Sequence, residues 1–250
     1  MILTEAQLIE RLQPRLVRYF SQIGSTNNEA LTWLANGAVS GSVVIAGEQV
    51  KGKGRLGRTW FTPPDSALIV TVILRPQAQA LTHMTMVGAL AIYDMIKGLG
   101  LEQVGIKWPN DVLLNGLKVS GILPEVVWEN GQLMGVVLGM GVNVRIDFTD
   151  TELAEKAVSI EPVLGKRVEL IDLIEVLLSR IDYWAAQFGT TAVYETWRNR
   201  LVTLGQQVSI RTADREVTGV AETVEHDGSL FVRLANGQIE RVIAGDVALG

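Results

Sequence analysis

The segment KWPNDVLLNGLKVSGIL, residues 107–123, holds the reading on which the fold turns. Asn115-Gly116 lies between two apolar runs, Val112–Leu114 and Leu117–Leu123. Asn-Gly in that setting is the strongest short-range signal for a two-residue hairpin with a type I′ turn. Upstream, Val104–Trp108 reads as a strand, stopped by a turn at Pro109. The hairpin brings Asp111 and Lys118 near each other. Strict alternation places Leu117, Val119 and Gly121 on one face and Lys118, Ser120 and Ile122 on the other. A lysine amid apolar strand residues is costly unless it is paired or faces a ligand. The plainer alternative is an edge-strand lysine whose stem covers apolar surface.

Outward from the hairpin, the pattern alternates strands and helices. Residues 4–20 read as a short helix leading into a strand. Thr26 and Glu29 have capping-box spacing and open a helix ending near Gly37. Ser42–Ala46 and Ala67–Leu74 are buried strands, and Thr82–Lys97 is helical. Leu133–Val144 is another apolar strand, and residues 169–188 and 191–202 are amphipathic helices. Beyond Gly205 the character changes. Short alternating runs (Gln207–Arg211, Val217–Val224, Leu230–Leu234, Gln238–Ile243) are punctuated by Asp227-Gly228 and Asn236-Gly237. About fifty residues of strands without a helix suggest a small SH3-like β-barrel. Two domains are expected, 1–202 and 203–250.

The 250 residues are 48% hydrophobic and 20% charged, enough apolar content for a sizeable core. With no cysteine and only His83 and His226, disulfides, thiolate metal sites and thiol nucleophiles are excluded. The net charge of −5 argues against a nucleic-acid-coating surface. No leader peptide and no membrane span is read, so a cytoplasmic protein is expected.

Against that acidic balance, Lys51, Lys53, Arg55 and Arg58 place four cations in the eight residues 51–58, overlapping Gly52-Lys-Gly-Arg-Leu-Gly-Arg-Thr59. The stretch fits Gly-x-Gly-x-x-Gly and nearly fits a P-loop. Both of those motifs need a helix to start at the loop, and Pro63-Pro64 forbid one. What remains is a mobile cationic lid suited to phosphates or an activated carboxylate, or an ordinary solvated basic loop. Gly139-Met-Gly141-Val-Asn143 allows close backbone approach to a flat ligand, or is a glycine bulge in a buried strand. Ser25-Thr26-Asn27 is sufficiently explained as a helix cap, yet could line a small polar ligand.

Taken together, these pieces resemble biotin–protein ligases (biotin–[acetyl-CoA-carboxylase] ligases). They are Ser25-Thr26-Asn27, Gln49 with Gly52–Trp60, Lys107-Trp-Pro-Asn-Asp111, Lys118–Leu123 and Gly139–Asn143. The resemblance implies an α+β fold related to class II aminoacyl-tRNA synthetases, with a mixed β-sheet, helices on one side and the C-terminal barrel. It implies that biotin and Mg-ATP form biotinyl-5′-AMP, and that a lysine of the biotin carboxyl carrier protein of acetyl-CoA carboxylase then takes the biotin. In the family's pattern Ser25, Thr26, Asn27 and Gln49 meet the ureido end of biotin. Lys53, Gly54, Arg55, Lys118 and Gly121 complete that site. Arg55, Arg58, Trp60, Lys107, Asn110 and Asn143 serve the nucleotide. Lys118, Arg55, Arg58 and Asp111 carry catalysis, and Asp111 either orients Lys118 or helps hold Mg²⁺.

Lys53 stands where the family usually has arginine, keeping the charge and losing the planar fork. Pro124 replaces a small apolar residue. Only 24 residues precede Ser25, too few for a winged helix-turn-helix, so no repressor activity, nucleic-acid partner or membrane partner is expected. Family members are often homodimers, and the residues carry no surface signature of one. A lipoate or octanoate ligase of the same fold, and a non-catalytic module that sequesters an acyl-adenylate, are the competing readings.

Overall fold

The computed structural model describes residues 3–250. The elements run α1 (Glu5–Leu12), β1 (Val17–Phe20), α2 (Thr26–Ala35), β2 (Val43–Ala46), β3 (Ala67–Leu74) and α3 (Met84–Gly98). Then come β4 (Val104–Lys107), β5 (Asp111–Leu114), β6 (Leu117–Glu129) and β7 (Gln132–Asn143). Helices α4 (Ile160–Leu164), α5 (Leu170–Ala185) and α6 (Thr191–Asn199) precede β8 (Gln207–Arg211), β9 (Glu216–Val224), β10 (Leu230–Arg233), β11 (Ile239–Val242) and β12 (Asp246–Leu249).

Seven strands form one sheet in the order β1-β2-β3-β7-β6-β5-β4. Among the strands of the described residues only β1 and β2 pair in parallel, so the sheet is mixed. All eight residues of β3 are buried, because both faces of the sheet are covered. Leu68, Val70 and Val72 join the main core with Leu90 of α3 and Leu177 of α5. Ile73 and Val137 pack instead against Ala30 and Leu34 of α2. The expectation of helices on one side is therefore corrected: α2 lies on the face opposite α3 and α5. Periodicity within a helix reveals its apolar stripe and says nothing about which face of a sheet receives it.

Asn115 and Gly116 have φ of 52° and 81°, as a type I′ turn requires. β6 continues six residues past Leu123 to Glu129, through Pro124. Beyond Gly121 it pairs with β7 alone, and a proline is tolerated where a strand has a free edge.

The second sheet has the order β11-β10-β9-β8-β12 and is antiparallel throughout. β11 and β12 lie at opposite edges and do not pair. The expected SH3-like unit is thus an antiparallel sheet that does not close into a barrel, and its last strand, β12, was not anticipated. The two sheets share one core, in which Trp108 is wholly buried with Val224 and Leu230. The Trp108 indole N–H donates to Gly228 O at 2.7 Å, and its backbone N–H donates to Thr203 Oγ1 at 2.9 Å. No described helix is long and apolar enough to cross a membrane.

Candidate active site

The α2 face of the large sheet carries a cavity of about 680 Å³. The residues to which the family resemblance gives a site role all line it: Ser25, Thr26, Asn27, Gln49, Lys53, Gly54, Arg55, Arg58, Trp60, Lys107, Asn110, Asp111, Lys118, Gly121 and Asn143, whereas Lys51 of the basic loop does not. Its floor is a row of small residues on β6 and β7. Gly121 pairs with Gly141, and Gly139 pairs with Thr71 of β3. A side chain at Gly139 would overlap the Asn27 amide, and one at Gly141 would overlap the Trp60 indole. The flat group that Gly141 admits is therefore Trp60 itself. From Gly139 to Asn143 the floor runs roughly 13 Å along the strand.

At the Gly139 end a polar network is built into α2. The capping box does not form. Ser25 is the N-cap and its side chain makes no cap bond. Gln49 takes over, its Oε1 accepting from the Thr26 backbone N–H at 2.8 Å and from the Thr26 hydroxyl at 3.0 Å. Glu29 is drawn away to Arg18, at 2.7 Å. The buried Thr71 hydroxyl donates within reach of Thr26 Oγ1 (2.9 Å) and Asn27 Oδ1 (2.8 Å). The Asn27 amide nitrogen donates to Leu123 O at 3.2 Å and to Glu125 Oε2 at 2.7 Å. Thr71 and Glu125 were missed in the sequence. Thr71 had a signal, as the one polar residue in the apolar run 67–74.

At the other end the cations gather. Lys118 Nζ lies 2.7 Å from Asp111 Oδ1, and Lys107 Nζ lies 3.8 Å from Asp111 Oδ2. The hairpin thus joins Asp111 to Lys118 as expected, but strict alternation does not hold. A bulge opposite Val112 and Leu113 shifts the register by one and turns Lys118 toward the Gly121 side. A Cβ at Gly121 would stand 3.3 Å from Lys118 Nζ and 3.2 Å from the Trp60 ring. The ammonium sits 5.4 Å from the Trp60 ring centroid, within cation–π range.

The glycine-rich loop folds on itself: Gly54 N–H donates to Arg58 O at 2.7 Å, and Trp60 N–H to Gly52 O at 3.0 Å. A single 3₁₀ turn at Arg55–Gly57 leads into extended chain with no α-helix, so neither phosphate-loop motif applies. Arg55 donates to Asn110 Oδ1 at 2.9 Å. Burial lowers the Arg55 pKa, an effect that Asp111 and Asp246 oppose. Arg58 pairs with Asp246 of β12, and that bond raises the arginine's pKa. Burial alone would lift the Asp246 carboxyl, but Arg58, with Lys107 and Lys118 nearby, brings it below its ordinary value. Lys107 donates to Val247 O at 3.1 Å, so β12 forms part of the wall. Asn143 donates to the carbonyls of Lys118 and Val158, at 3.3 and 3.2 Å, which leaves its Oδ1 as acceptor.

A carboxylate can help hold Mg²⁺ together with the phosphates of a nucleotide, and Asp111 is the carboxylate placed among the cations. It faces two ammonium groups, and among the described residues no cluster of three His, Asp or Glu side chains is gathered for an ion.

Residues 19–143 match the model of the biotin/lipoate A/B protein ligase family, and residues 203–250 match the biotin protein ligase C-terminal domain. The biotin--[acetyl-CoA-carboxylase] ligase of Paracoccus denitrificans is 35% identical over 90% of this chain and 97% of that protein. The chain belongs to the biotin/lipoate A/B protein ligase family. The corresponding ligase of Mycobacterium tuberculosis, another relative, is 32% identical over 91% of this chain and 86% of its own length. The bifunctional ligase/repressor BirA of Bacillus subtilis is 29% identical over 93% of this chain and 73% of that protein. The fold is that of the biotin protein ligase of Aquifex aeolicus, solved with biotin and ATP. The TM-score is 0.81 at 22% identity, covering 94% of this chain and 98% of that one.

Proposed function

We infer that the chain is an ATP-dependent biotin–protein ligase that makes biotinyl-5′-AMP and passes the biotin to a carrier lysine. One observation supports this reading most: a single cavity places a hydrogen-bonding head pocket and a cluster of cations at opposite ends of a glycine floor. The curated relatives named above carry the same activity in their names.

At the head, Ser25, Asn27 and Gln49 offer hydroxyl, amide acceptor and amide donor groups to a cyclic urea. The acyl arm then runs along the cavity from Asn27 past the Trp60 indole toward Lys118. The biotin carboxylate attacks the α-phosphorus of ATP and pyrophosphate leaves. Negative charge builds on the phosphoryl oxygens during that attack, and pre-placed cations stabilise it without reorganisation. Lys118, Arg55 and Arg58 are the cations in reach, and Lys107 lies beside them. Asp111 fixes the Lys118 ammonium and Asn110 fixes the Arg55 guanidinium. Trp60 and the Asn143 acceptor form the adenine side. Magnesium enters as part of Mg-ATP, carried by the nucleotide's phosphates. In the second step the ε-amine of the carrier lysine attacks the mixed anhydride and AMP leaves, so the chain needs no nucleophile of its own. The acceptor is the biotin carboxyl carrier protein of acetyl-CoA carboxylase.

Biotin-dependent exchange of labelled pyrophosphate into ATP tests the first step. Exchange is expected with biotin. Exchange with lipoate alone would replace the reading by the lipoate-ligase one.

A further inference from the structure

We propose that Glu125, a residue outside the cavity wall, is the positioning residue that holds Asn27 as a pure acceptor. It thereby makes the head pocket choose a cyclic urea over a dithiolane ring. The inference rests on the biotin-ligase reading above.

An asparagine amide presents donors on one side and an acceptor on the other, and reversing it swaps them. Around Asn27 the neighbours decide. Leu123 O and Glu125 Oε2 are both acceptors, and both face one side of the amide. Thr71 brings a hydroxyl to the other side. The reversed amide would set its oxygen against a carbonyl and a carboxylate in a nearly buried place, where an unpaired acceptor is costly. Asn27 is 5% exposed, so water cannot relieve that cost. With both amide hydrogens committed, only Oδ1 is left for a ligand. It accepts from a urea N–H and has nothing to offer a ring of carbon and sulfur.

The carbonyl of Leu123 belongs to the strand and exists whatever the side chain at 125. The carboxylate does not, so the choice of amide orientation is vested in Glu125. Its other oxygen lies 3.9 Å from Lys53 Nζ of the glycine-rich loop, a partly exposed pair of small energetic weight. Lys53 donates more closely to Asn28 Oδ1, at 2.5 Å. The hydrogen-bond acceptor at 125 therefore matters, and its charge hardly does.

Calorimetric binding of biotin and of lipoate to the full chain, with KM for ATP from pyrophosphate exchange, tests this. Glu125→Met keeps the length and removes the acceptor; Glu125→Gln keeps a neutral acceptor. The methionine variant is expected to bind biotin about tenfold more weakly, with lipoate binding and KM for ATP unmoved. The glutamine variant is expected to recover most of the lost affinity. Parent-like biotin binding by the methionine variant would overturn the proposal. So would a shift of biotin, lipoate and ATP together, or a glutamine variant as weak as the methionine one. If the unsubstituted chain binds no biotin, the functional reading falls as well. Sound biotin binding by the parent with an unresponsive methionine variant removes only the role of Glu125.

Discussion

Lys118 is the side chain on which the chemistry leans hardest. Lys118→Met keeps the stem over Trp60 and removes the charge. Pyrophosphate exchange should lose about 10²–10³ in kcat, the usual effect of deleting one pre-placed donor to developing oxyanion charge. Circular dichroism should stay near the parent, while melting should fall, because Asp111 is left with only the more distant Lys107. Gly141 makes a separate statement, because its Cβ would occupy the plane of the Trp60 indole. Gly141→Ala should displace Trp60 and raise KM for ATP roughly tenfold, with a smaller change for biotin. The identity of such residues was legible in the sequence, since a lysine and paired glycines in apolar strands conflict with plain strand chemistry. Their neighbours were less so. Glu125 lies 98 positions from Asn27, and only the register of β6 against β7 beside α2 brings them together.

Among the elements, β12 and the Trp108 plug tie the small sheet to the site. Trp108 looked like part of a chemical motif and proves to be an anchor, buried in the shared core and bonded to Gly228 and Thr203. Trp108→Ala should cost about 3–5 kcal/mol in urea unfolding, as large-to-small changes in cores do. The Arg58–Asp246 pair is half-exposed, with side-chain exposures of 60% and 39%, and its worth is correspondingly small. Asp246→Asn should therefore change stability by no more than about 1 kcal/mol. Its effect belongs instead to KM for ATP, by releasing Arg58. Turn chemistry announced most of the strands. The bulge that reorients Lys118 and the pairing of β12 with β8 depend on contacts across the sheets, which period-two patterning does not encode.

At the scale of the whole molecule, His83 at the start of α3 meets His226 in the turn between β9 and β10. Burial chiefly, then the neighbouring His226, lowers the His83 pKa, against a backbone hydrogen bond at His226 that raises it. The Tyr194 ring stacks on His226 with centroids 3.9 Å apart, joining α6 to the turn between β9 and β10. A histidine whose folded pKa is depressed favours the neutral form in the native state. Its contribution to stability is thus full above about pH 6.5, the ordinary histidine value, and is lost as the pH falls below it. Urea midpoints at pH 7.5 and pH 5.5 should show that drop in the parent and a shallower one in His83→Asn; equal slopes would refute the assignment. The overall architecture was the most legible level, because helices and strands each carry their own periodicity. Which sheet face α2 covers was not, since that choice is made between elements. This cavity is expected to join biotin to AMP for delivery to a carrier lysine. Mass spectrometry of a carrier domain incubated with the chain, biotin and ATP tests it most directly. One biotinyl group on one lysine is the predicted result, dependent on ATP and slowed about 10²–10³-fold by Lys118→Met. An unmodified carrier in the presence of active ATP and biotin, or modification that survives Lys118→Met undiminished, would contradict the account.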